Sequence, residues 1–91
     1  MNRKITTRRM GNWGDIKCFL RLTPRVKVIE DGRLRSIQSG ARMLAIIEAA
    51  ERGAEQIQDG WRPWYVGTCG DQTAVSLTDD WARTRWLLAA D

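Results

Sequence analysis

The chain of 91 residues has no histidine, two cysteines, two prolines, one phenylalanine and one tyrosine. Without histidine it lacks the side chain that most often serves as a general base near neutral pH. With only Cys18 and Cys69 as soft ligands, a Cys/His zinc site lacks donors, and neither a metal nor a cofactor is expected. The two cysteines are expected as small core residues rather than a disulfide. No run approaches the roughly 18 apolar residues of a membrane span. The basic residues 1–10 are not followed by the apolar stretch of a signal peptide. A cytoplasmic chain without membrane contact is the resulting expectation.

Catalytic signatures are equally scarce. There is no GK[ST] phosphate loop, and Gly67-Thr68-Cys69-Gly70 suits a hairpin turn better. Cys69 has no evident base beside it. Asp79 and Asp80 are accounted for as carboxylates at a helix N-terminus. The sequence therefore gives no reason to expect an enzyme.

Lysine is also rare, three against twelve arginines, and what is present is charge of uneven distribution. Residues 1–36 hold ten basic groups against three acids, whereas residues 37–91 hold five against eight, for a net charge of +4. A split of this kind points the first half toward an anionic macromolecule, either nucleic acid or an acidic protein surface. Arginine suits bidentate contacts to phosphate or carboxylate better than lysine does.

The pattern along the chain predicts one α+β domain over residues 15–91, preceded by a basic arm over residues 1–14 with a short strand near residues 4–8. Residues 15–22 alternate, with Ile16, Cys18, Leu20 and Leu22 on one side, as in a half-buried strand. Asp31-Gly32 between two extended runs predicts a hairpin with Glu30 opposite Arg33, Ile29 opposite Leu34 and Val28 opposite Arg35. A long helix is expected over residues 41–58, capped by Ser39 and stopped by Gly60, with Met43, Ile46, Ile47, Ala50, Ala54 and Ile57 on its apolar arc. Gly53 is expected to mark close packing of this helix on a sheet. Glu48, Glu51 and Glu55 form its solvated stripe. A second hairpin over residues 64–77 turns at Gly70-Asp71, and Thr78 caps a short C-terminal helix.

The expected order is β-β-β-α-β-β-α: two hairpin-type units in an antiparallel sheet, the long helix packed on it, and the short helix at the end. Met43, Ile47, Ala50, Ile57, Val66, Val75 and Leu77 are expected to be buried together. The last helix, carrying Trp81 and Trp86, is expected to offer a homodimer contact.

Five tryptophans must supply most of the bulky core, with Trp64, Trp81 and Trp86 assigned there. Aromatics interleaved with arginine can also stack on unpaired bases, and Trp61-Arg62-Pro63-Trp64 has that composition. The candidate contacts are the arm residues Arg3, Lys4, Arg8 and Arg9, then Trp13, and the ribbon residues Arg25, Lys27, Arg33 and Arg35. A two-stranded basic ribbon fits a DNA major groove, and a basic arm can track phosphates. The bland counterpart is a solvated hairpin with Glu30–Arg33 as a surface pair. Two function classes remain: a non-enzymatic nucleic-acid or nucleoprotein binder, and a phage or mobile-element inhibitor of the anti-CRISPR or anti-restriction type that blocks a host defence complex by protein contact.

Overall fold

Both glycine-containing turns close hairpins. Asp31 and Gly32 have φ of 55° and 76°, and Gly70 has φ of 62°. These are the left-handed conformations that tight hairpin turns need. The computed structural model describes residues 4–53 and 61–90, with side-chain surroundings for all of these except 50–53. In chain order the elements are β1 (Ile5–Met10), α1 (Trp13–Leu22), β2 (Arg25–Glu30), β3 (Arg33–Ser39), α2 (Gly40–Gly53), β4 (Arg62–Cys69), β5 (Gln72–Thr78) and β6 (Thr84–Ala89). The α+β class is as expected. The strands form one antiparallel sheet in the order β1-β4-β5-β6-β2-β3.

Two elements differ in type from the sequence expectation. Residues 15–22 lie in helix α1, not in a strand. Ile16, Phe19 and Leu20, at i, i+3 and i+4, are its buried residues, while Leu22 and Cys18 are exposed. A reciprocal capping box decides the conformation. The Asn12 side chain accepts from Asp15 N–H, and the Asp15 carboxylate accepts from Asn12 N–H, each at 2.9 Å. Cys18 is consequently a surface thiol rather than a core residue, and Cys69 is only half-buried.

The C-terminal helix is replaced by β6, which lies between β5 and β2 inside the sheet. The homodimer contact expected from a terminal helix therefore has no helix to make it. Asp79 and Asp80 cap nothing helical. The buried Asp79 carboxylate instead accepts N–H bonds from Trp81 and Arg83, each at 3.0 Å, and pairs with Arg83 Nε at 2.6 Å. Burial works against its charge. The Arg83 N–H, the Arg83 guanidinium and the Trp81 N–H outweigh it and hold the carboxyl below its ordinary range. This bonding fixes the β5–β6 connection, where Ala82 has φ of 60°.

The core lies between the helices and one face of the sheet. Val26 and Val28 of β2, Val75 and Leu77 of β5 and Leu87 of β6 meet Ile16, Phe19 and Leu20 of α1 and Ile47 of α2. Ile47, Val75 and Leu77 are buried as expected, and Met43 and Val66 pack against them half-buried. Ile46 is exposed, off the core arc assigned to it. Ser39 Oγ accepts from Arg42 N–H at 3.2 Å, consistent with its capping role. Ala54, Ile57, Glu55 and the Gly60 stop fall outside the described residues, as do the side chains of Ala50, Glu51, Arg52 and Gly53. Within the described residues, no helix is long and apolar enough to cross a membrane.

Three ladder shifts carry consequences. The β2–β3 register starts as expected, with Glu30 opposite Arg33 and Ile29 opposite Leu34, but Val28 then faces Ser36 instead of Arg35. Arg35 is the extra residue of that bulge. Arg8 occupies the same position on β1, between Thr7 and Arg9. Both lie on edge strands, where a bulge and a charge together discourage pairing with another chain. The third shift sets Trp64 and Tyr65 against Ser76. There the buried Ser76 hydroxyl accepts from Tyr65 N–H at 2.8 Å and donates to Tyr65 C=O at 3.0 Å, standing in for ladder bonds.

Candidate nucleic-acid interface

Opposed residues in an antiparallel ladder share a face. Val26, Val28 and Glu30 point toward the helices, so Arg25, Lys27 and Ile29 point away from them. The second face of the sheet has no described helix on it. Its middle row crosses the sheet from edge to edge: Met10, Tyr65, Ser76, Trp86, Ile29, Leu34. Beside it Leu88 faces Lys27, and Lys27 faces Ile37. Met10, Leu34 and Ile37 are exposed, and Tyr65, Trp86 and Ile29 are half-buried. The Trp64 and Tyr65 rings touch, with centroids 4.8 Å apart.

The electrostatics of the sheet are one-sided. Its strands carry Arg8, Arg9, Arg25, Lys27, Arg33, Arg35, Arg62 and Arg85 against a single acid, Glu30. Glu30 lies on the helix side, buried, and accepts from Arg85 at 3.1 Å. It is thus not the surface partner of Arg33. The Arg85 guanidinium also lies over the buried Trp61 ring, 4.1 Å from its centroid, and Arg83 lies 5.4 Å from it. Trp61 is therefore a structural aromatic. Arg62 is taken by Asp80 at 2.7 Å. Of the Trp-Arg-Pro-Trp segment, Arg62, opposite Thr78, and Trp64, beside Tyr65, lie on the open side.

The sequence-derived contact residues separate into groups. Arg25 and Lys27 are exposed on the open face. Arg33 is exposed at the hairpin tip on the opposite side, and Arg35 is exposed at the β3 edge. None of these four makes an ion pair among the described residues. Lys4 and Arg8 are exposed at the far edge, where Arg8 Nε donates to Thr68 Oγ1 at 3.3 Å. Arm and ribbon thus stand at opposite edges, five strand spacings or about 24 Å apart. Arg3 falls outside the described residues.

Arg9 is engaged internally. It donates to both oxygens of Asp15, at 2.8 and 3.0 Å, and ties β1 to α1. The Arg9 hydrogen bond holds the Asp15 carboxyl below its usual range, and Asp15 in turn raises the Arg9 guanidinium. Trp13 is half-buried against the core in the helix layer, away from the basic ribbon.

Two other features have chemistry to offer. Trp81, assigned to the core by its sequence, is 82% exposed on the connection that Asp79 fixes. A groove of about 380 Å³ lies between α1 and the sheet, with Cys18, Phe19, Leu22 and Val75 among its walls. Among the described residues the one carboxylate lining it is Asp15, already bonded to Arg9, and these residues set no other carboxylate beside the Cys18 thiol. Among the described residues, no group of three or more Cys, Asp or Glu side chains is placed to hold a metal ion.

Sequence reasoning did not identify Tyr65, Trp86, Ile29 and Leu34 as one surface. Their row is assembled from five strands, and the only local signal is that each alternates with a core residue of its own strand. No family model, no curated protein and no solved structure matches this chain.

Proposed function

We propose that the chain is a non-enzymatic nucleic-acid-binding module that uses the basic β2–β3 side of its sheet. The supporting observation is the charge of the strands: eight cationic side chains against Glu30 alone, with Glu30 satisfied by Arg85. Arg25, Lys27, Arg33 and Arg35 are left for an external anion. A polyanion releases counterions when such groups neutralise its phosphates.

Salt titration of binding to a labelled oligonucleotide tests this reading. The log–log slope of affinity against salt should be about −0.7 per neutralised phosphate on a single strand and −0.9 on duplex DNA. Arg25→Glu combined with Lys27→Glu should weaken binding and flatten the slope. Failure of the wild-type chain to bind any oligonucleotide at low salt would refute it.

A second reading, an inhibitor that blocks a nucleoprotein complex by protein contact, is favoured by Trp81. An exposed tryptophan whose backbone N–H is bonded to Asp79 has the character of an interface anchor. Trp81→Ala should then abolish capture of the protein partner and leave oligonucleotide binding unchanged.

A further inference from the structure

The sheet face with no described helix on it runs from β1 to β3, and its composition restricts what can lie on it. Arg25 and Lys27 occupy its β2 side and Arg35 lies at its β3 edge, whereas Arg8 at β1 is turned toward the helix side by its bond to Thr68 Oγ1. An extended polyanion held by Arg25 and Lys27 and running across the strands passes over the row Ile29, Trp86, Ser76, Tyr65. No strand contributes an acid to that face, because Glu30 points to the helices. A second copy of the chain packed there would meet the cations Arg25 and Lys27 with no carboxylate from the facing strands. An acidic partner meets them with complementary charge.

The aromatics narrow the partner further. Trp86 and Tyr65 lie on either side of the small Ser76, and the Trp64 ring adjoins Tyr65. Unpaired bases gain affinity by stacking on aromatic side chains, largely independent of sequence, while cations track the backbone. In a duplex the base faces are already stacked on one another. A major groove admits a two-stranded ribbon, whereas this row is spread over β4, β5, β6 and β2.

We infer that the open sheet face is a stacking platform for single-stranded nucleic acid. Trp86, Tyr65 and Trp64 take bases, and Arg25, Lys27 and Arg35 take phosphates. This rests on the proposed nucleic-acid function and deepens it.

The test is fluorescence polarisation with a labelled single strand of about 12 nucleotides, within the site sizes of known single-strand folds, and with the same strand in duplex. The wild-type chain should prefer the single strand. Trp86→Leu keeps an apolar side chain and removes the π-face. It should lower single-strand affinity about 5- to 150-fold. The salt slope should stay as in the wild type, since no phosphate contact is lost. Trp86→Phe should remain within a few-fold of the wild type. Tyr65→Leu repeats the measurement on a different strand should Trp86→Leu fail to fold.

Equal affinity for single strand and duplex, together with no loss in the Leu variants, overturns the platform and leaves the broader function standing. A wild-type chain that binds neither form overturns both. Flattening of the salt slope by Arg25→Glu with Lys27→Glu, without any effect of the aromatic changes, assigns binding to the ribbon alone and also overturns the platform.

Discussion

Gly40→Ala is expected to destabilise the chain by at least about 3 kcal/mol, the upper part of the range for overpacking. Gly40 opens α2 directly against the end of α1, and its N–H donates to Pro24 C=O at 3.0 Å. A Cβ there would overlap the Thr23 carbonyl oxygen and stand 2.7 Å from that of Leu20. Both neighbours are backbone, so no rotamer change relieves the clash. Against a typical total of about 5–15 kcal/mol for a folded domain, such a loss is large. Gly32→Ala is the control. It has a positive φ but open surroundings, and should cost only about 1 kcal/mol. Urea unfolding checks the pair. Equal midpoints for the Gly40 variant and the wild type would show that the two helices do not meet there.

Leu87→Ala is expected to cost about 2–5 kcal/mol, from lost burial plus the cavity left behind. Leu87 is 0% exposed and sits in the ladder between Val28 and Val75, under the helices. The same change discriminates the strand from the helix that sequence periodicity suggested for this segment. A C-terminal helix would place Leu87 outside the apolar arc, where truncation costs within about 0.5 kcal/mol. Leu34→Ala, on the exposed side of β3, should fall in that smaller range. An unfolding midpoint for Leu87→Ala no lower than that of Leu34→Ala is incompatible with a central β6.

What the sequence disclosed is what short-range chemistry determines. Asp31-Gly32 and Gly70-Asp71 announce their turns because few residues accept a positive φ. The start of the long helix was legible from Ser39 and the spacing of Met43 and Ile47. Residues 15–22 satisfy two periods at once: Ile16, Cys18, Leu20 and Leu22 fit a period of two, while Ile16, Phe19 and Leu20 fit a helix equally well. The reciprocal pair Asn12 and Asp15, three residues apart, was the signal that separates them.

β6 is hidden in the sequence for a different reason. Leu87 is buried toward the helices and Leu88 on the other face. A strand buried on both faces loses its alternation and reads as a continuous apolar run. The adjacent Asp79 and Asp80 then resembled a helix start, although Asp79 in fact closes the β5–β6 connection. The exposed ribbon cations were found because charge marks them individually. The aromatic row was not found, because it exists only once the strand order brings β4, β5, β6 and β2 together.

The indole N–H resonances of the five tryptophans test the central claim most directly. They should be followed by ¹H–¹⁵N correlation spectra while a short single-stranded oligonucleotide is titrated in. Trp86 and Trp64, on or beside the open face, should shift together with the backbone amides of Lys27 and Ile29. Trp13 in the helix layer and the buried Trp61 should stay in place. Shifts confined to Trp13 and the α1 amides, with Trp86 unmoved at saturation, would contradict an anionic partner on the open sheet.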